Sequence, residues 1–209
     1  MVHYKLTYFD FRGLGDCIRQ VFYLANVEFE DERIVMKSDE WKNLKPKTPF
    51  GHLPVLTVDG LEIPQSMAIV RYLSKKFGFA GKTPEEEAWV DAIVDQFKDF
   101  GVSLRPYIYT IFENKPADVV EKTKKEVAIP ACENYLRIIN KILEKSKSGF
   151  LVGDSLTFAD LVVADNLLSL HNDGFIKKGQ HPKLDEFQAK IHNLPELKDY
   201  IASRPSTTF

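Results

Sequence analysis

Gly51 to Ser66, GHLPVLTVDGLEIPQS, gathers the residues of this chain best suited to hold a ligand. Leu53-Pro54 precedes Val55-Leu56-Thr57-Val58, an alternating run rich in β-branched residues that predicts a strand. Asp59-Gly60 is a hairpin turn signal, and Leu61-Glu62-Ile63 predicts a second short strand. A proline cannot donate to a sheet ladder, so Pro54 marks an edge or a turn. A cis Leu53-Pro54 bond would leave the N–H and C=O of Leu53 free for a ligand. Ser66 opens a helical period through Met67, Ile69, Val70 and Leu73, and is read as the cap of that helix. The N–H groups of a helix N-terminus favour an anion such as a carboxylate. A free backbone edge beside a carboxylate cradle suits a short peptide with an acidic end.

The elements that must position these residues read in order. His3–Tyr8 predicts a strand. Ile18, Val21, Phe22 and Ala25 line one face of a helix near Asp16–Leu24. Phe29–Val35 is a second strand and Trp41–Leu44 a short helical or irregular segment. The hairpin and a third helix ending near Phe77 complete a βαβ, ββα order, which is that of a thioredoxin-like domain. Glycines at 78 and 81 break the pattern. Thr83-Pro84-Glu85-Glu86 then starts a helix, with Thr83 as N-cap, Pro84 at N1 and Glu86 as capping-box residue. Beyond it everything reads helical. Val90, Ile93, Val94, Phe97, Gly101 and Leu104 mark a long helix that Pro106 should bend or end. Asp118–Lys147 is the next, kinked at Pro130. Thr157-Phe158-Ala159-Asp160 is a second capping signal, with a Leu156–Leu161 staple before the buried run Leu161–Leu170. Shorter helices are expected over Leu184–His192 and Pro195–Ser203. The expected boundaries are an α/β unit over 1–79, a linker over 80–83 and an all-α unit over 84–209.

The 209 residues, 44% of them apolar and 12% aromatic, suffice for a core in one large domain or two small ones. With 28 basic and 30 acidic residues, no basic excess is present to hold nucleic acid or an anionic membrane. No apolar run is long enough to span a bilayer, because Asp160 and Asp165 interrupt the best candidate. Met1-Val2-His3-Tyr4-Lys5 lacks the apolar core of a signal peptide. Cys17 and Cys132 form neither a CxxC motif nor a metal spacing. They read as buried, reduced thiols of a cytoplasmic protein, although Cys17 lies near a helix start, where thiols can be activated.

The Pro54 hairpin followed by Gln65-Ser66 resembles the glutathione site of cytosolic glutathione transferases. Tyr4-Lys5-Leu6-Thr7-Tyr8-Phe9 and Arg12-Gly13 resemble the first strand and turn of their sigma class, which includes glutathione-dependent prostaglandin D synthase. Val90–Asp95 and Ser155–Asp160 extend the likeness over essentially the whole chain. It implies the glutathione transferase fold, a thioredoxin-like α/β domain followed by an all-helical one. It also implies a homodimer that conjugates glutathione, its co-substrate, to hydrophobic electrophiles.

By that resemblance Tyr8 is catalytic, its O–H donating to the glutathione sulfur and favouring the thiolate. Gln65 and Ser66 would hold the γ-glutamyl carboxylate, Trp41 and Lys45 the glycine end, and His52, Leu53 and Pro54 the backbone. Asp99 would reach from the long helix into the partner subunit's site. Phe9, Leu14, Tyr107, Tyr109, Phe112 and Phe209 would form an apolar acceptor slot. On position alone, Tyr8 is also read as a core aromatic, Ser66 as a plain cap, Trp41 as a packed ring and the Tyr107 cluster as helix packing. Lys45 and Asp99 read on the same basis as solvated charges.

Two departures separate this chain from the prostaglandin synthases. Leu14 stands where they carry a second Arg, so the surroundings of Tyr8 should be more apolar. Lys98 replaces one of a pair of acids that bind a divalent ion, so no metal is expected. A prostaglandin isomerase, or a carrier of haem or other apolar ligands, is the alternative function.

Overall fold

The computed structural model describes residues 2–205. Contacts divide it into two compact units: one joins the chain up to Ala80 with the segment from Lys190 onward, and the other holds Gly81–Ala189.

In the first unit, β1 (Tyr4–Phe9), α1 (Asp16–Ala25), β2 (Glu30–Ile34) and α2 (Asp39–Leu44) precede β3 (Val55–Val58), β4 (Leu61–Pro64) and α3 (Ser66–Phe77). The sheet runs β2-β1-β3-β4, with β1 parallel to β2 and the β3–β4 hairpin antiparallel. Side chains alternate across a strand, so Tyr4, Leu6 and Tyr8 share one face of β1, and all three are buried. α1 and α3 pack against each other, and Ile18, Val21, Phe22, Ile69, Val70 and Leu73 are fully enclosed. Asn26 ends α1 in the left-handed conformation, its N–H returning to Phe22 and Tyr23 carbonyls. α9 (Lys198–Ser203) belongs to this unit as well.

The second unit holds α4 (Pro84–Phe112), α5 (Ala117–Thr123), α6 (Ile129–Lys145), α7 (Phe158–Asn172) and most of α8 (Pro182–His192). α7 is its centre: Leu161, Val163, Ala164 and Leu167 are inaccessible, and α4 packs along it. The capping box at its start is complete. Asp160 accepts from the Thr157 N–H at 2.8 Å, and its other oxygen accepts from the Leu151 N–H at 2.7 Å.

Three local expectations change. The Thr83 hydroxyl does cap α4, accepting from the Glu86 N–H, but the Glu86 carboxylate accepts from the Lys82 N–H instead of closing a box with Thr83. α4 continues six residues past Pro106. Proline removes one N–H bond, to the carbonyl of residue 102, and Val102 is half-exposed, so solvent can replace the donor. The single helix expected over 118–147 is instead α5 and α6 joined by a π turn over Lys124–Ala128. Pro130 cannot donate to residue 126, and the wider turn, in which the Ile129 N–H reaches the Lys124 carbonyl, absorbs that loss.

Candidate active site

Tyr8 stands near the end of β1, its side chain only 4% exposed. Its phenol oxygen accepts from the Leu14 N–H at 3.0 Å. The turn that brings Leu14 there is glycine on both sides for a steric reason. A Cβ at Gly15 would fall 2.3 Å from Tyr8 Cδ1, and one at Gly13, where φ is +41°, would fall 2.6 Å from the hydroxyl. Burial pushes the Tyr8 phenol above the ordinary tyrosine range, against the lowering effects of the Leu14 N–H and the Arg19 charge. The group is therefore a neutral phenol at physiological pH. Its oxygen is already an acceptor, so its own proton is left to donate. A charged group lies against the ring despite the Leu at position 14. Arg19, itself enclosed, lies 5.7 Å from the ring centroid and binds Asp31 at 3.0 Å and the Phe11 carbonyl at 3.0 Å.

Leu14 also lines a cavity of about 260 Å³, together with His52, Leu53, Pro54, Gln65 and Ser66. The structure thus brings five residues predicted to hold glutathione around one hollow. Leu14, expected on the acceptor side, joins these five, and Phe50 and Pro64, which the sequence reading missed, complete the wall. The Leu53-Pro54 bond is cis. The expected cap assignment moves by one residue. Gln65, not Ser66, is the N-cap of α3, its carbonyl accepting from the Ile69 N–H at 3.0 Å; Ser66 is the first helical residue. Gln65 holds φ +75°, a region costly for any residue with a Cβ, and strain of this kind concentrates at ligand sites. It leaves the Gln65 side chain exposed and tucks Ser66 inward at the helix start.

Trp41 and Lys45 do not line this hollow. Ser38 caps α2 through the Trp41 N–H at 3.1 Å, and the Trp41 ring meets Phe9 edge-on at 5.2 Å. Phe9, placed in the acceptor slot by resemblance, is packed among Tyr8, Phe11 and Trp41. Lys45 follows α2 and its stem runs beside Gly51, next to His52.

In the second unit, Asp99 is exposed on α4, and Lys98 pairs with Asp95 at 3.4 Å. Tyr107 packs edge-on against Phe175 at 5.8 Å, whereas Tyr109 and Phe112 are 58% and 56% exposed. Phe209 lies outside the described residues. Among the described residues, no group of three or more His, Cys, Asp or Glu side chains is placed to hold a metal, and no helix is long and apolar enough to cross a membrane.

The sequence reading also missed Asp16, Arg19, Tyr200 and Arg204. The signal for the first two was present: charged residues inside the apolar stripe of α1 are buried and hence paired. Tyr200 and Arg204 meet Asp16 across more than 180 residues and have no local signature.

Comparison with known proteins settles the family. Residues 4–75 match the glutathione S-transferase N-terminal domain, and residues 102–204 match the glutathione S-transferase C-terminal domain. The chain is 53% identical over 204 residues to glutathione S-transferase 4 of Caenorhabditis elegans, covering 98% of each. It superposes on a Nu-class enzyme from Haemonchus contortus with TM-score 0.89 at 46% identity, covering all of both chains. For monomeric Na-GST-3 from Necator americanus the TM-score is 0.87 at 47% identity, covering 99% and 100%. For rat hPGDS complexed with a quinoline it is 0.86 at 31% identity, covering 99% and 100%. The chain belongs to the glutathione S-transferase family, and its activity is that of a glutathione S-transferase.

Proposed function

We propose that glutathione lies in the Leu14–Ser66 cavity and that Tyr8 donates a hydrogen bond to its sulfur, stabilising the thiolate for attack on hydrophobic electrophiles. The observation that carries this reading is the Leu14 N–H on the Tyr8 oxygen, which directs the phenol proton elsewhere. Ser66 and the α3 N-terminus, with Gln65, take the γ-glutamyl carboxylate. Lys45 and Trp41 take the glycine end, and the backbone at His52, Leu53 and Pro54 meets the peptide. The gain has a ceiling. A thiol of pKa about 8.5 is a few per cent ionised at pH 7, so full ionisation gains about 30-fold, and the rest comes from holding two substrates together. Tyr8→Phe tests the assignment: glutathione affinity should persist while turnover falls about 10- to 30-fold, the worth of a hydrogen bond to a charged group up to that ceiling. Wild-type turnover in a folded variant would refute it.

The finer features belong to the same proposal. The enzyme is sigma-like, a reading that rests on the likeness of Tyr4–Phe9 and Arg12-Gly13 to the first strand and turn of that class. It is cytoplasmic and needs no metal. Leu14 and Lys98 favour a broad transferase over a selective prostaglandin isomerase. Haem or other apolar ligands are the carrier alternative. The active unit is a homodimer in which Asp99 serves the partner's site. Mixing Asp99→Ala with Tyr8→Phe subunits then creates one intact site per mixed dimer. No recovery of activity, with subunit exchange demonstrated, would exclude sharing.

A further inference from the structure

The first unit contains a buried polar cluster that the glutathione site does not use. Asp16 opens α1 and is 1% exposed. Its Oδ1 accepts from the Tyr200 hydroxyl at 2.6 Å. Its Oδ2 accepts from Gln20 Nε2 at 2.9 Å and from the Arg204 guanidinium. Tyr200 lies on α9 and Arg204 directly follows it, so the end of the described chain is latched to the start of α1.

Asp16 also closes the turn that serves Tyr8. Its N–H donates to the Arg12 carbonyl at 3.0 Å, enclosing Gly13, Leu14 and Gly15. Leu14 supplies the N–H on the Tyr8 oxygen, and Gly15 lies against the Tyr8 ring. The far end of that turn is therefore anchored by the side-chain bonds of Asp16. Charge enters as well. A carboxylate close enough to act on Tyr8 opposes a second negative charge forming beside that residue, and in a poorly solvated interior that opposition is felt unless a cation offsets it.

The geometry points to Asp16 and Arg204 as a positioning pair, through which the C-terminal segment sets both the Gly13–Gly15 turn and the charge balance that Tyr8 needs to stabilise the thiolate. The inference rests on the reading of Tyr8 given above. The ionisable and charged groups around the pair and Tyr8 include Arg19 on α1, Tyr200 on α9, Arg33 on β2, which acts on Tyr200, and Arg12, buried at the start of the same turn. Asp16 pushes the Tyr8 phenol upward and Arg19 pulls it down, the directions expected for a carboxylate that must be neutralised.

The test titrates the thiol of bound glutathione by the ultraviolet absorbance of its thiolate and sets that beside kcat/KM. Arg204→Met should raise the bound thiol pKa by about one unit, about a tenfold change in its ionisation constant. Arg204→Lys should restore most of it. Adding Asp16→Asn to Arg204→Met should return the pKa toward the wild-type value, because no uncompensated carboxylate remains. A folded Arg204→Met protein that melts earlier but titrates like the wild type overturns the inference and leaves the pair a purely structural latch. Should Arg204→Met fail to fold, Tyr200→Phe decides. It keeps the ion pair, removes one donor from Asp16, and must raise the bound thiol pKa by about half a unit, about threefold; no shift overturns the inference. Tyr8→Phe separates the two readings. A wild-type titration there refutes the role of Tyr8, whereas a raised pKa there beside an unmoved one in Arg204→Met refutes only the role of the pair.

Discussion

The backbone N–H of Leu14 and the phenol oxygen of Tyr8 stand 3.0 Å apart, with the N–H donating. The bond needs no particular side chain at position 14; it needs the turn to pass close under the ring. That shifts the demand onto the neighbouring glycines.

Gly15→Ala should therefore damage both stability and catalysis. The added carbon would meet Tyr8 Cδ1 at 2.3 Å, and the enclosed ring has little room to yield. Overpacking of this kind costs about 1–3 kcal/mol. Urea denaturation should show the loss, and kcat should fall even where the protein is fully folded. Wild-type stability in Gly15→Ala would contradict the packing described for this turn.

Gln65→Gly should trade binding for stability. Glycine adopts φ +75° freely, which relieves strain of about 1–3 kcal/mol. The larger freedom of the unfolded chain returns about 0.4–1 kcal/mol of that. The denaturation midpoint should rise while KM for glutathione increases. An unchanged KM would remove the Gln65 side chain from the ligand site.

Asp160→Ala should be among the most destabilising single changes in the second unit. The carboxylate is fully buried and accepts from the N–H groups of Leu151 and Thr157 and from the Thr157 hydroxyl. Leaving buried donors unmet costs about 1–3 kcal/mol each, so a loss on the order of 3 kcal/mol or more is expected by chemical denaturation. A loss under about 1 kcal/mol, the worth of a simple cap, would show that the Leu151 bond contributes little.

Cys132 should make the protein sensitive to alkali. Burial pushes its thiol from 9.0 up to about 12. The folded state thus keeps a proton that the unfolded state releases above pH 9, so stability falls as pH rises from about 9 to about 12, at about 1.4 kcal/mol per pH unit. Cys132→Ala should flatten that part of the curve. An equally steep decline in the variant would place the alkaline loss elsewhere, with the buried Tyr135 and Tyr200 phenols, also pushed upward, as the next candidates.

The parts of the fold that were legible in the sequence are those written in short-range chemistry. Asp59-Gly60 specified the hairpin, Thr83-Pro84 and Thr157–Asp160 specified helix starts, and His3–Tyr8 read as the first strand. What escaped depends on neighbours that sequence proximity does not supply. Gln65 takes a left-handed φ that its residue type does not announce, and the cap falls on it rather than on Ser66. Glu86 accepts from the Lys82 N–H, one residue before the cap that the pattern pointed to. Phe9 was drawn into an aromatic cluster by Trp41, 32 positions on, and Asp16 found its partners at the other end of the chain.

The two buried cysteines carry a consequence for durability. A catalyst that handles electrophiles lives among reagents that alkylate sulfur. Cys17 and Cys132 are both enclosed, and Cys132 stays protonated well beyond physiological pH. Thiolates react and thiols scarcely do, and a sulfur that solvent cannot reach is not reached by a reagent dissolved in it. The protein therefore keeps its own sulfur out of competition with the one it activates, and the electrophile spends itself on the expendable partner rather than on the enzyme.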